Sequence, residues 1–193
     1  MMFAETALLA KQPSTYRTGL IILDGGDELF FNEHVLNFYH YVLEHWKKDE
    51  KNIALYFGCS HHKPFSNSFI HMKTIRMLKK HGLDNIIQQF ILSEPLAICP
   101  RELEKVFPAA NYNFPPERLG EIGRREFVKR LNAFLRKYYA EYEHHVVFAP
   151  NHHRDIFLEA SNDLLKPIII PYNIYQLPNL LTVIKKLKNK WNM

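Results

Sequence analysis

Residues 52–80 read NIALYFGCSHHKPFSNSFIHMKTIRMLKK and contain two different hydrophobic patterns. The part from Asn52 to Phe57 is short, apolar and rich in strand-forming residues, whereas from Ser66 to Lys80 the apolar residues recur at helical intervals. The polar residues between them are therefore predicted to form a strand-to-helix loop. Loops at the carboxyl ends of strands in open parallel sheets line ligand crevices, so we expect a functional site at this loop.

The same alternation of strands and helices continues along the chain. Strands are predicted at 19–23, 52–57, 86–92, 145–149 and 168–170, and helices at 33–48, 66–80, 101–107, 115–142, 152–165 and 178–191. Gly82 is the expected stop of the second helix. Because parallel strands need long, right-handed crossovers, this order predicts an α/β fold, a three-layer α/β/α arrangement with a small parallel sheet.

Length and composition predict one domain. The 193 residues are 47% hydrophobic, which suffices for a sizeable core, and we expect residues 1–193 to form a single domain with a loosely packed N-terminal segment at 1–17. Two cysteines are too few for a disulfide framework. Neither a signal peptide nor a long apolar span is apparent, so the sequence predicts a cytoplasmic protein with no membrane partner.

The net charge of +5 is suited to a polyanionic partner, because Lys and Arg contacts to phosphate displace condensed counterions. A basic run along the predicted helix at 115–142 comprises Arg118, Arg124, Arg125, Lys129, Arg130, Arg136 and Lys137. Arg124, Arg125 and Lys129 are the candidate RNA-binding residues. A solvated helix face explains such a run equally well.

The loop itself offers reactive side chains. Cys59 can supply a nucleophilic thiolate, and Lys63 a positive charge for a phosphate or carboxylate. His71 follows Ser68 by three residues, so the two share one face of a helix and either can position a substrate or move a proton. Alternatives remain open: Cys59 as a small buried residue, Lys63 as a solvated loop residue, and Ser68 or Ser66 as a helix cap.

These residues also carry a family resemblance. The loop resembles the P-C-x3-K-P-Y-x2-S-x2-H signature of archaeosine synthases. The residues in register are Cys59, Lys63, Pro64, Ser68 and His71. Gly58 stands where the family has proline, and Phe65 stands where it has tyrosine and therefore lacks the phenolic hydroxyl. A second stretch at 92–112, with its Ser-Glu-Pro and Pro-Arg-Glu-Leu steps, resembles the core domain of the same family.

Archaeosine synthases attach free lysine to the nitrile of a cyano-deazaguanine base in the D-loop of tRNA. The resemblance covers most of the chain from about Asp24 onward and implies the same activity, a uracil-DNA glycosylase-like fold, tRNA and free lysine as partners, and no cofactor. It implies four catalytic residues, Cys59, Lys63, Ser68 and His71. Cys59 would add to the nitrile and form a thioimidate, which the lysine amine then attacks.

Polar residues at other strand ends extend the expected site. Glu94 precedes Pro95 after the strand at 86–92, and Asn151 and His152 follow the strand at 145–149, so all three are expected in one crevice. Asp24 lies in an acidic turn, where it can bind an amino group or the donor edge of a base, although ordinary turn chemistry explains it as well. The predicted substrate-binding residues are Asp24, Ser60, Pro64, Phe65, Glu94, Asn151 and His152.

Full archaeosine synthases usually carry an RNA-binding domain that this sequence does not contain. The chain is therefore expected to be a stripped-down version or one part of a split system, with a separate RNA-binding subunit or a radical SAM lyase as a partner. Two other functions stay open. One is a non-catalytic, glycosylase-like module that binds nucleic acid, and the other is a hydrolase acting on a small nitrile or amide.

Histidines make a metal site conceivable. The potential ligands are Cys59, His61, His62, His71, His144, His145, His152 and His153. No pair has the spacing that fixes a zinc site, and adjacent histidines point in different directions. No glycine-rich dinucleotide or phosphate loop is present either. The sequence therefore predicts neither a metal nor an organic cofactor.

Overall fold

The computed structural model describes residues 22–191, so the predicted N-terminal segment and residues 19–21 of the first predicted strand lie outside the described residues. The described strands are β1 (Leu23–Asp24), β2 (Ile53–Gly58), β3 (Ile87–Ser93), β4 (Ala97–Pro100), β5 (Tyr112–Asn113), β6 (His144–Phe148) and β7 (Ile168–Ile169). The described α-helices are α1 (Glu33–Glu44), α2 (Phe69–Lys80), α3 (Glu121–Tyr138), α4 (Asn151–Ser161) and α5 (Leu177–Trp191).

The main sheet has five strands in the order β4-β3-β2-β6-β7. Strands β3, β2, β6 and β7 are parallel, and β4 runs antiparallel to β3 at one edge. Strand β1 pairs with β5 in a separate two-stranded sheet, so the described end of the first predicted strand does not join the main sheet. The predicted α/β class with a small parallel sheet is confirmed, apart from the antiparallel edge strand β4.

Alternate residues of β2 enter two cores on the two faces of the main sheet. Ala54 and Tyr56 belong to a large core that includes residues of α1, α3 and α4. Leu55 and Phe57 belong to a smaller core with residues of α2 and α5. All six residues of β2 are buried, as expected for a strand with helices on both sides. The predicted three-layer α/β/α arrangement is thereby confirmed.

Several predicted helices are shorter in the structure, and three of them start later than predicted or are replaced by a 3-10 turn. Residues 65–67 form a 3-10 turn, so α2 begins at Phe69 rather than at Ser66. The predicted helix at 101–107 is only a 3-10 turn at Arg101–Leu103. The predicted helix at 115–142 starts only at Glu121, because Pro116–Arg118 form a 3-10 turn and the backbone of Leu119 and Gly120 is extended.

Strands β4 and β5 were not predicted from the sequence, and β5 has only two residues. Strand β4 is four residues long and begins directly after a tight turn, at Ala97, which has a φ of 64°. A strand this short carries too little periodicity to be told from a loop. Gly82, by contrast, takes the left-handed conformation (φ 60°) expected of a helix stop. Within residues 22–191, no helix has both the length and the apolar character needed to cross a bilayer.

Candidate functional site

A cleft of about 350 Å³ opens at the carboxyl end of the main sheet. We call it the Cys59 cleft. Its wall includes Cys59, Ser60, Lys63, Tyr112, Asn113, His152 and His153. The cleft therefore forms where the first sequence pattern placed it, at the loop after β2.

Strand register explains why distant residues meet at this cleft. Gly58 at the end of β2 pairs with Leu92 of β3, and Phe57 pairs with Phe148 at the end of β6. The three strands thus end at one level, and the next residues of each chain segment enter the same space. Glu94 comes from β3, and His152 and His153 come from the first turn of α4.

Three side chains form a compact group at the base of the cleft, which we call the thiol cluster: Cys59, Glu94 and His153. The Cys59 thiol donates to Glu94 Oε2 over 3.6 Å, and His153 Nε2–H donates to the same oxygen over 3.1 Å. The potential ligand atoms of the three residues all lie within 4.8 Å of one another. Glu94 and His153 are fully buried, whereas Cys59 is half-buried and reaches the cleft.

Charges stabilise one another within the thiol cluster. Burial disfavours the charged form of Glu94, but the neighbouring His153 outweighs this effect and lowers the pKa of the carboxyl. Burial also opposes a charge on His153, yet Glu94 and Cys59 together raise its pKa to about 10. At neutral pH the pair is therefore a carboxylate and an imidazolium.

The thiol cluster is also where a metal ion can be held within residues 22–191, because a thiolate, a carboxylate and an imidazole are all zinc ligands. The three residues come from three different strand ends, so no local spacing reveals the group. His153 is absent from the predicted substrate-binding residues. Its position in the first turn of the helix after β6 is the signal that could have found it.

Lys63 lies in the wall of the cleft in a fixed position. Its Nζ donates to the Ser60 carbonyl oxygen over 2.6 Å and lies 4.4 Å from the ring centroid of Tyr112 and 4.6 Å from that of Phe65. Burial lowers the pKa of Lys63, an effect that Cys59 and Glu94 oppose. Phe65 is fully buried and Pro64 is buried, so both form the support behind this lysine.

His71 and Ser68 lie beneath the loop rather than in the cleft wall. His71 Nε2–H donates to the Gly58 carbonyl oxygen over 2.9 Å, and Arg101 donates to Nδ1 over 2.8 Å. Burial and the adjacent Arg101 lower the pKa of His71 to about 3, so its ring is neutral. Ser68 precedes α2, but its buried hydroxyl makes no capping hydrogen bond. Both nitrogens of His71 therefore hold the loop in place.

His71 should make the protein sensitive to acid. Between pH 6.5 and 3 the unfolded chain takes up a proton at His71 that the folded chain excludes, so stability falls as pH falls. The full effect of one proton is about 1.4 kcal/mol per pH unit. Between pH 6 and 4, the free energy of unfolding in urea should fall less steeply with decreasing pH for His71→Gln than for the wild type. The expected difference in slope is about 1 kcal/mol per pH unit. The exposed His40→Gln is the control, and parallel curves for His71→Gln would contradict the assignment.

Gly58 is required by close packing at the end of β2. A Cβ added there would lie 2.2 Å from Pro150 Cδ and 2.8 Å from His153 Nδ1. Any larger residue would therefore displace the start of α4 and His153 with it. This packing accounts for a residue without a side chain directly before Cys59.

The remaining predicted residues are divided between the cleft and its surroundings. Asp24 lies near the rim, where it accepts hydrogen bonds from Asn113 over 3.1 Å and from Arg118 over 2.5 Å. His152 lines the cleft, with Nε2 at 3.7 Å from Glu94 Oε1. Asn151 is exposed and accepts a hydrogen bond from Arg154. The structure thus brings Ser60, Glu94 and His152 together and leaves Asn151 outside.

The three candidate RNA-binding residues lie on α3, and each is paired with an acidic side chain. Arg124 pairs with Glu159 at 2.5 Å. Arg125 pairs with Glu121 at 3.7 Å, and Lys129 pairs with Glu126 at 3.3 Å. The pairs of Arg124 and Arg125 are solvent-exposed and contribute little to stability, whereas Glu126, the partner of Lys129, is largely buried.

The fold and the site together define an α/β protein with a cysteine-containing cleft at the carboxyl end of its sheet. The chain belongs to the family described as "Domain of unknown function (DUF5591)", whose model matches residues 35–186. A solved structure gives the same fold over most of the chain. It is the crystal structure of AF0587, a protein of unknown function, with a TM-score of 0.52 and 18% identity over 79% of this chain and 48% of that one.

Three relatives are named for archaeosine synthesis, so the resemblance drawn from the signature is confirmed. The archaeosine synthase subunit alpha of Thermoplasma acidophilum is 32% identical over 54% of this chain and 20% of its own length. That of Methanosarcina acetivorans is 29% identical over 56% and 17%. The archaeosine synthase of Methanocaldococcus jannaschii is 29% identical over 71% and 24%. This chain thus spans about a fifth of the length of these relatives.

Proposed function

We propose that this chain is a tRNA-modifying transferase of archaeosine biosynthesis, which adds free lysine to the nitrile of a cyano-deazaguanine base in the D-loop. One observation carries this proposal: Cys59 and Lys63, two residues of the archaeosine synthase signature, both face one cleft. Relatives that match half of the chain or more are named archaeosine synthases. A volume of about 350 Å³ is within the range of small-molecule sites.

Cys59 is proposed as the nucleophile of this reaction. Addition of an amine to a nitrile is slow unless the carbon is activated, and a thiolate does this by forming a thioimidate. Cys59 is half-buried and lines the cleft, so a substrate can reach its sulfur. Lys63 is suited to hold a negative group of the substrate, because its ammonium is fixed at the cleft wall.

The other signature residues are proposed to support this arrangement. His71 fixes the Gly58 carbonyl, and with it the backbone that precedes Cys59. Ser68 lies beneath the loop at the start of α2, and its buried hydroxyl, which has no partner among residues 22–191, is proposed to bind a water molecule there. Ser60 and His152 line the cleft and are proposed to contact the base.

Binding of tRNA is proposed to involve the exposed face of α3 with Arg124, Arg125 and Lys129. Their acidic partners limit the attraction of this face for phosphate. A separate RNA-binding subunit, or the radical SAM lyase that acts after lysine transfer, is therefore included in the proposal as a partner. A cytoplasmic location belongs to the same proposal, since the substrate is tRNA.

The test is nucleoside mass spectrometry of tRNA that contains the cyano-deazaguanine base, after incubation with purified protein and isotopically labelled lysine. A labelled lysine adduct on the base is the expected result. The matched control is the same tRNA transcript without the nitrile base, which should acquire no label. An unmodified nitrile on tRNA that the protein nonetheless binds would contradict the transferase and favour a non-catalytic nucleic-acid-binding module.

A further inference from the structure

The histidine of the thiol cluster has one ring nitrogen that the fold leaves available. His153 Nε2 is held by Glu94, whereas Nδ1 is buried and has no hydrogen-bond partner among residues 22–191. Nδ1 lies 2.8 Å from the position that a Cβ on Gly58 would occupy, and Gly58 directly precedes Cys59. The available nitrogen therefore faces the backbone that carries the thiol.

The surroundings of His153 keep its ring in this orientation. Its side chain is about 1% exposed, and its ring packs edge-on against Phe127 with the centroids 6.1 Å apart. The ring of His152 lies on another side, with a centroid distance of 3.8 Å. Such a ring cannot turn without disturbing the packing, so Nδ1 stays directed toward the end of β2.

From this geometry we infer that Cys59, His153 and Glu94 act as a nucleophile–acid/base–carboxylate triad, in which His153 is a catalytic residue and Glu94 is a positioning residue. The inference rests on the proposed lysine transfer and assigns its proton steps. The polar atoms of Cys59 and His153 lie within 4.8 Å of each other, and Glu94 holds Nε2 of the histidine. An acid/base group close to a nucleophile, with a third group that orients it, is the arrangement expected of an activated nucleophile.

The Cys59 thiol, which donates to Glu94 in the resting site, first loses its proton to solvent. The thiolate then adds to the nitrile carbon and forms a C–S bond, while the proton on His153 moves to the nitrile nitrogen and gives a neutral thioimidate. The uncharged amine of lysine then attacks the same carbon and forms a C–N bond, and its excess proton passes to His153. The C–S bond breaks and the thiolate leaves. The net result is nitrile plus amine giving an amidine, with no oxidant or reductant consumed.

A metal centre at the same residues fits this geometry less well. If Nδ1 bound a metal, Glu94 would only orient the ring, and Cys59 would be the one further ligand from the cluster. If Nε2 bound it, Nδ1 would have no partner, although a metal-bound histidine almost always has its second nitrogen fixed by a hydrogen bond. An acid/base role for His153 needs only Nε2 held by Glu94 and Nδ1 free to exchange a proton, which is the observed geometry.

The reactivity of Cys59 tests the triad without tRNA or lysine. Alkylation by iodoacetamide at pH 7, followed by peptide mass spectrometry, measures the nucleophilic reactivity of Cys59, with the fully buried Cys99 as an internal reference. We expect His153→Gln and Glu94→Gln to slow alkylation of Cys59 by roughly tenfold or more. Glu94→Gln keeps the shape of the side chain and removes only its charge, so a merely structural role would leave the rate unchanged.

The matched control is His144→Gln, at the opposite end of β6, which should keep the wild-type rate. A thermal melt shows whether each variant is folded. A second experiment incubates the protein with the free cyano-deazaguanine base and measures the intact mass of the protein by mass spectrometry. The wild type is expected to carry a thioimidate adduct at Cys59, and the fraction of protein with this adduct should be lower in His153→Gln.

Either of two results would overturn the triad. The first is alkylation within about twofold of the wild-type rate in both folded variants. The second is one equivalent of zinc in the purified protein that Cys59→Ala, His153→Gln and Glu94→Gln all lose. Failure of the proposed function is distinguishable, because His153-dependent alkylation without lysine transfer would leave the triad in place and reject only the lysine reaction.

Discussion

Replacing Cys59 with alanine should lower the rate of lysine transfer by at least about a thousandfold, because the reaction loses its covalent route. The side chain is half-buried and its thiol donates only to Glu94 among the described residues. Its loss should therefore change the free energy of unfolding by no more than about 1 kcal/mol. Transfer of labelled lysine to tRNA and urea unfolding of the same protein measure the two effects.

Cys99→Ala provides the matched control for this substitution. Cys99 is fully buried in the large core, and burial raises the pKa of its thiol well above the usual range, so it is not a nucleophile. Its substitution should cost about 1 kcal/mol of stability and leave the transfer rate unchanged. A Cys59→Ala protein that transfers lysine at nearly the wild-type rate would refute covalent catalysis.

The largest loss of stability is expected at Arg130, which belongs to the basic run of α3 but not to its surface. Its side chain is 3% exposed, and it donates to the Phe30 carbonyl oxygen over 2.6 Å and to Glu126 over 2.9 Å. The guanidinium also lies 5.2 Å from the ring centroid of Tyr39. Arg130→Ala leaves these groups unpaired, and we expect a loss of about 3–5 kcal/mol in urea unfolding.

Two further variants separate the contributions at this position. Arg125→Ala, on the exposed face of the same helix, should change the free energy of unfolding by less than about 0.5 kcal/mol, since its pair with Glu121 is solvent-exposed. Arg130→Met keeps much of the volume and should lose less than Arg130→Ala. If Arg130→Ala and Arg125→Ala were equally stable, Arg130 would not have the structural role that the contacts indicate.

Arg130 also shows why part of the sequence prediction could not succeed. Its neighbours in the basic run are exposed, and nothing in the composition of the run distinguishes the one member that faces Phe30 and Tyr39. The orientation follows from how α3 packs on α1 and the 3-10 turn at 27–31. Periodicity indicates which residues share a helix face, but the buried face of an arginine-containing helix depends on its partners.

The functional loop could be predicted from the sequence, whereas the thiol cluster is formed only by the tertiary structure. The signature with Cys59 and Lys63 lies in one continuous segment, so its residue types and spacing were visible directly. His153 comes from a helix more than ninety residues later and meets Cys59 only because β2 and β6 are adjacent and parallel. No local pattern contains that information.

The sequence by itself therefore determined the α/β class, the strand-to-helix position of the functional loop, and the resemblance to archaeosine synthases. These features depend on hydrophobic periodicity and on residues close together in the chain. The antiparallel edge strand, the separate pairing of β1 with β5, and the meeting of Cys59, Glu94 and His153 were decided by the tertiary structure. The physical reason is that strand order and register bring distant chain segments together. Short strands and single side chains have no hydrophobic periodicity from which their contacts could be predicted.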